Sequence, residues 1–421
     1  MSNKYHSGIR HYSPAVTVGN LSLLRALGRG KFPVIAATSV ANEVVFHSIY
    51  QDSNYLIPGP TKTPDEFIQA LISIGKKHKS DSPVLFYDAD ADLLCISRNR
   101  RELEKYYKFN MPPQNVIESL VDKSRFFGYA KQHKLPIPNT IIIKLGDEVN
   151  FEIANQFTFP AIVKPVSRVD WFDSPLSKAY GYGGKAILVT TSNQLYEIMT
   201  LAKEHNIEII VQELIPGDES NIVSYHSYAN RLGNILGEYT GRKIRTYPNK
   251  FGMSTCVEVC ENAEVMDAGR KIIESTGLIG VAKIDFKQDP RTGKLYLLEI
   301  NPRFNIWNYP GAIAGVNLPV IAYCDIAENN PNLNNRLEQN IKWIDAVRDK
   351  KGYKEMGSGN IFYFESWLKN LNRKTVYAIW AWDDPRPFIW MKYKNILNLG
   401  AALKRRVKKI FKPASKGLST Y

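Results

Sequence analysis

The 421-residue sequence contains no uninterrupted apolar run of about 18 residues, so no membrane-spanning helix is expected. The stretch up to Asn20 carries Lys4 and Arg10 with no apolar segment behind them, so a secretory leader is not expected and a cytoplasmic protein is. Cysteine is scarce. Cys95, Cys256, Cys260 and Cys324 are too few and scattered for a disulfide framework or a four-ligand zinc site, and Cys256 with Cys260 reads as a packed pair on one strand face. Repeats of about 20 to 50 residues and low-complexity tracts are also missing, which sets solenoids aside. The Gly-x-x-x-x-Gly-Lys-Ser/Thr string of P-loops is absent. Only Gly19 follows the first apolar strand, Val16 to Val18, where a dinucleotide fingerprint needs three glycines. Nor does any Ser-His-Asp or Cys-His arrangement offer a covalent nucleophile.

Acidic residues are lacking from Met391 onward. Lys392, Lys394, Lys404, Arg405, Arg406, Lys408, Lys409, Lys412 and Lys416 there supply nine of the fourteen net positive charges. With the charge gathered in one tail and no nucleic-acid module in view, no specific nucleic-acid partner is expected. Within the tail, Ile396, Leu399, Leu403, Val407 and Ile410 recur at spacings of three and four, which predicts one apolar stripe on a helix ending before Pro413. The stripe has three destinations: the protein body, the anionic inner face of a membrane, or an anionic polymer.

What is present is a folded α/β (α+β) chain. A hydrophobic content of 44% over this length predicts two or three subdomains. A helix at Leu21 to Leu27, the Gly28 and Gly30 pair and the strand Pro33 to Ala37 come first. A helix at Phe67 to Ile74 and the strand Val84 to Tyr87 complete a small doubly wound domain over residues 1–115. The aspartates closing that last strand, Asp88, Asp90 and Asp92, read as a solvated loop outside any site. Pro112 and Pro113 mark the first boundary, a second α/β region spans 116–330, and 331–421 is an aromatic-rich extension with Trp343, Trp367, Trp380, Trp382 and Trp390 ahead of the tail.

The chemistry-bearing residues fall in the second region. In Gly280 to Lys287, alternation puts Lys283 and Asp285 on one strand face and Ala282, Ile284 and Phe286 on the other. After the breakers Asp289, Pro290 and Gly293, the strand Leu295 to Asn301 splits the same way, so an antiparallel hairpin brings Asp285, Glu299 and Asn301 together. Three hard oxygen donors on rigid strands suit Mg²⁺, with Mn²⁺ as a substitute. Upstream, the short apolar strand Phe159 to Pro165 carries Lys164, suited to phosphate, and Gly181, Gly183 and Gly184 allow a hairpin backbone to approach phosphates closely. Ile207 to Gly217 is an apolar strand running into a Pro-Gly hinge, followed by Asp218 and Glu219. The run Gly241 to Tyr247 is basic and reads either as a solvated strand or as a substrate site with Arg242 and Arg245 suited to a carboxylate or phosphate.

In this order, Lys123 at a helix start, Lys164, the glycine hairpin, the Gln212 to Ile215 hinge, Glu219, Asp285 and Glu299-Ile-Asn301-Pro-Arg303 together resemble the ATP-grasp superfamily. The resemblance covers roughly residues 10 to 330 and is strongest to the carboxylate-amine ligases of the D-aspartate ligase type. It implies an N-terminal pre-ATP-grasp domain, then a two-lobed ATP-grasp domain with antiparallel sheets and a lid lobe at about 155–215. It implies that Lys123, Lys164 and the glycine hairpin hold ATP phosphates, that Gln212, Glu213, Leu214 and Ile215 face adenine, and that Glu219 meets the ribose. Asp285, Glu299 and Asn301 would bind magnesium, and Arg303 with Lys283 would neutralise developing charge. The implied reaction is ADP-forming ligation of a small carboxylate to a small amine. A silent ATP-binding scaffold and a carbamoyl-phosphate-type ligase are the alternatives. The sequence departs from the family's pattern in the long Val166 to Lys178 insertion before the glycines.

Overall fold

The computed structural model describes residues 12–41, 43–166, 174–176, 186–249, 252–328, 337–356 and 374–410, with 400–410 as backbone only. The first layer is a parallel four-stranded sheet in the order β3-β2-β1-β4, built from β1 (Ala15–Val18), β2 (Val34–Thr38), β3 (Ser53–Leu56) and β4 (Val84–Tyr87). β1, β2 and β4 are buried along their whole length, as parallel strands covered on both faces must be, and this explains their unbroken apolar runs.

A small antiparallel sheet follows in the order β5-β8-β6-β7, from β5 (Thr140–Ile143), β6 (Ala161–Pro165), β7 (Ile187–Val189) and β8 (Ile209–Glu213). This lobe starts earlier than the expected position near 155, because β5 pairs along β8. Its own core gathers Val163, Leu195, Ile198, Ile209 and Val211.

The largest sheet runs β13-β12-β9-β10-β11-β14-β15, with β9 (Ile222–Ala229), β10 (Ile235–Tyr247), β11 (Met253–Val259), β12 (Gly280–Gln288), β13 (Leu295–Asn301), β14 (Ile341–Ile344) and β15 (Thr375–Tyr377). The last two strands lie beyond residue 330, so the expected boundary there is crossed by one continuous sheet. The segment after β15 is tied to the N-terminal domain as well. Arg25, fully buried, donates to Asp384 Oδ2 at 2.9 Å and to the Asp384 and Ile379 carbonyls, while Ser48 Oγ and the Ile49 amide donate to the same carboxylate. A buried guanidinium and carboxylate satisfied this fully fix the relative position of both segments, since breaking either half strands a buried charge. The expected helix of the basic tail is present as Arg386–Ile410. No described helix is long and apolar enough to cross a membrane.

Candidate active site

The β12–β13 register is the one the alternation predicts, with Asp285 opposite Glu299 and Lys283 opposite Asn301. β12 also pairs with β9, and β9 with β10, so a row of side chains crosses the sheet: Glu299, Asp285, Ser224 and Gly241 in one line, Asn301, Lys283, His226 and Tyr239 in the next. Glu299 and Asn301, at the edge of this row, line a cavity of about 690 Å³ together with Lys123 from the helix Lys123–Gln132 and with Lys164 and Gln212 from the small lobe. Asp122 caps that helix by accepting from the Ser124 and Arg125 amides, which fixes where Lys123 emerges. Lys123 Nζ donates to the Pro165 carbonyl at 3.4 Å, and Lys164 Nζ to Gln212 Oε1 at 2.9 Å. Burial pushes the Lys164 ammonium down to about 8, and the neighbouring charge of Lys123 adds to the effect.

Asp285 is 1% exposed and is ringed by charged and polar groups. Lys283 Nζ lies 2.5 Å and Lys243 Nζ 3.4 Å from its Oδ2, and Ser224 Oγ donates to Oδ1 at 2.7 Å. Burial alone would raise this carboxyl, but the two ammonium groups override it and hold it well below the ordinary range. Lys243 is also within the field of Glu299 and Glu219. Neighbouring Glu299 is exposed and accepts from Asn301 Nδ2 at 3.1 Å. Among the described residues no three His, Cys, Asp or Glu side chains gather as a self-sufficient metal site. Exposed Glu299 and the Asn301 amide are oxygen donors of the kind that suit a cation taking its other ligands from phosphate, whereas both Asp285 oxygens are already engaged.

Arg303 is placed by residues that the sequence reading left out. Its Nε and Nη2 donate to Asp90 at 2.5 and 3.2 Å, its Nη1 to the Asp88 carbonyl at 3.2 Å, and its Nη2 to Asn301 Oδ1 at 3.4 Å. The three aspartates are therefore not a solvated loop. Asp92 is 7% exposed and pushed up to about 7 by burial with the Asp88 charge adding, while burial pushes Asp88 up to about 6 against the opposing pull of the Asn20 amide and Arg303. A Cβ on Gly19 would stand 2.9 Å from Asp88 Oδ2, so the glycine after β1 is what lets this carboxylate sit there. Position at the carboxyl end of a parallel strand was the available signal for these residues.

Other expected residues are engaged elsewhere. The Gln212 side chain is committed at both ends, its Nε2 donating to Thr140 Oγ1 at 3.0 Å, so it orients Lys164. The Glu213 and Leu214 amides donate to the Asn139 and Pro160 carbonyls, and Ile215 is buried at the hinge. Glu219 is half-buried and close to Lys243 and Lys287. Arg242 pairs with Glu258 at 2.8 Å and keeps half its side chain exposed. Arg245 forms a two-pronged pair with buried Asp349 at 3.0 and 2.7 Å, which is in turn held by Thr255 Oγ1. Arg245 thus anchors the helix Ala346–Met356 and does not join the cavity wall. The glycines at 181, 183 and 184 lie outside the described residues.

Two further features of the row were invisible in the sequence. Gly241 has the Trp307 ring against it, and a Cβ there would come within 2.4 Å of Cζ3. His226, 1% exposed, stacks on Tyr239 with centroids 4.6 Å apart and lies tilted against Trp307 at 4.9 Å. Burial, with the Lys283 charge beside it, pushes its imidazole well below the ordinary range, so it is neutral, and neither ring nitrogen has a partner among the described residues.

No family model matches the chain. It is 27% identical over 285 residues to the D-aspartate ligase of Enterococcus faecium (strain Aus0004), covering 66% of each chain. To the carbamoyl phosphate synthase large chain of Pyrococcus furiosus it is 24% identical over 271 residues, 60% of this chain and 23% of that one. The chain thus spans just under two thirds of the first of these relatives and about a quarter of the second. Among solved structures it is similar to the N5-carboxyaminoimidazole synthetase of Staphylococcus aureus complexed with ADP, with a TM-score of 0.56, 15% identity, and 78% of this chain and 80% of that one covered. The L-amino acid ligase of Bacillus licheniformis gives a TM-score of 0.55 at 12% identity, with 78% of each chain covered. These likenesses show the fold.

Proposed function

We propose that this chain, an ATP-grasp protein of the carboxylate-amine ligase group, transfers the γ-phosphoryl group of ATP to a small carboxylate and then couples the acyl phosphate to a small amine, releasing ADP and phosphate. The observation that carries the reading is the cavity of about 690 Å³ with Lys123 and Lys164 on one wall and Glu299 and Asn301 on another. Cationic groups facing oxygen donors across a space of this size suit a polyphosphate with its counter-ion.

Whether a divalent cation fits can be judged at Asp285, whose buried charge is already met by the two ammonium groups of Lys243 and Lys283. Asp285 thus brings no unmet charge to a cation, and exposed Glu299 with Asn301 beside it is the donor pair chemically suited to Mg²⁺ or Mn²⁺, which would neutralise phosphate charge when bound. The remaining work falls to this chain's own residues. Lys123 and Lys164 would hold the phosphates. Arg303, kept in place by Asp90, would stand against the negative charge that develops on the transferring group, and Lys283 would do the same for the tetrahedral intermediate formed by the amine. A carboxylate made into an acyl phosphate has a good leaving group, so positioned reactants and fixed positive charge suffice and no protein nucleophile is required.

The names of two similar proteins, a D-aspartate ligase and an L-amino acid ligase, support an amino acid as one of the two substrates. Arg242, half exposed beside the sheet, is the basic residue of its run best suited to meeting a substrate carboxylate. The test incubates the protein with ATP, Mg²⁺ and a matrix of amino acids and small acids. Phosphate release should require two cosubstrates together and yield ADP, and formation of AMP with pyrophosphate would reject the mechanism.

A further inference from the structure

The helix Arg386–Ile410 is 25 residues long, about 37 Å at 1.5 Å per residue. Its base is held firmly. The buried Arg25 and Asp384 pair locks the preceding turn, and His47 stacks on Trp390 with centroids 4.1 Å apart. Beyond that base it leaves the body, and every described residue from Lys392 to Leu399 is exposed. Ile389, Tyr393, Ile396 and Leu399 are 60%, 52%, 66% and 65% exposed. They follow one another at spacings of four, three and three, so they share one side of the helix. The stripe is therefore not docked on the described body, which removes one of the three destinations open from the sequence. Trp382, at the turn before the helix, is 88% exposed. The sequence continues the period through Leu403, Val407 and Ile410, and from Arg386 to the end it has ten lysines and arginines and no acidic residue.

We propose that this helix lies in the plane of an anionic phospholipid surface, with its apolar side in the acyl boundary and its basic residues among the headgroups. Charge decides the occupant. A second copy of the helix would bring a second set of like charges against the first, whereas anionic headgroups complement them. The helix is too polar to span a bilayer, and an exposed apolar side with a cationic remainder is the pattern of helices that rest on one. Because the base is rigid, the surface would hold the whole protein in one orientation. The inference is independent of the ligase reading, since its readout is binding.

The experiment sediments the full-length protein with vesicles of phosphatidylglycerol and phosphatidylcholine or of phosphatidylcholine alone, at low and high salt. Salt-sensitive binding to the anionic vesicles only is expected. The triple variant Lys404→Gln, Arg405→Gln, Arg406→Gln should bind about a hundredfold more weakly, as each basic residue near such a surface contributes roughly a factor of five. The double variant Ile396→Asp, Leu399→Asp should abolish binding, and both variants should melt at the wild-type temperature. Absence of binding to anionic vesicles at low salt, or equal binding by the variants, overturns the proposal. So does a lowered melting temperature, which would show the stripe packed on the body, or a dimer dissociated by the aspartate variant, which would show a second copy covering it.

Discussion

Lys164 offers a quantitative check because burial leaves its ammonium at about 8, inside an accessible pH range. If Lys164 must be charged to hold a phosphate, the competent fraction of the free protein falls from about nine tenths at pH 7 to about one tenth at pH 9, which weakens ATP binding about tenfold. Folding stability should move the other way. The unfolded side chain titrates at its ordinary 10.5, so between about 8 and 10.5 the unfolded chain binds more protons and the fold gains stability as pH rises. Calorimetric titration of Mg-ATP at pH 7, 8 and 9, paired with thermal melts, reads both trends. Lys164→Met is the control, since subtracting its profile cancels the titration of ATP and of every other group. It should bind weakly at all three pH values and lose the stability gain. A wild-type affinity profile parallel to that of the methionine variant would show that Lys164 is not a phosphate partner.

Glu299→Gln keeps the shape of an exposed side chain, so steady-state turnover should drop by at least about a hundredfold while the melting temperature stays within a degree or so. Asp90→Asn removes the charge that orients Arg303, and kcat should fall about 10- to 100-fold with little change in ATP affinity by titration. Arg245→Met removes the guanidinium that meets the charge of the buried Asp349 carboxylate and should cost about 3–5 kcal/mol in denaturant unfolding. If that variant instead keeps full stability and raises the KM of one substrate, Arg245 belongs to the substrate site.

Periodicity is a local property, and what depended on it was legible from the residues alone. Alternation on β12 and β13, with breakers between them, was enough to bring Asp285, Glu299 and Asn301 together, because a hairpin's register follows from its turn and its apolar face. The order of lysines, hinge and acidic strand was equally plain, as was the stripe on the last helix. Charge partners were not legible, since nothing in a sequence states which distant segment will supply them. Asp90 reaches Arg303 across 213 residues, Asp349 reaches Arg245 across 104, and Asp384 reaches Arg25 across 359. Lys243 meets Asp285 only because β9 lies between their strands, and the Trp307 ring finds Gly241 only once the sheet has assembled. A buried charge costs too much to leave unpaired, so the fold settles where these ends meet. That closure is a property of the whole chain, and it set Asp88 and Asp90, read as part of a loop, to hold Arg303 and turned Arg245 toward the neighbouring helix that it clamps.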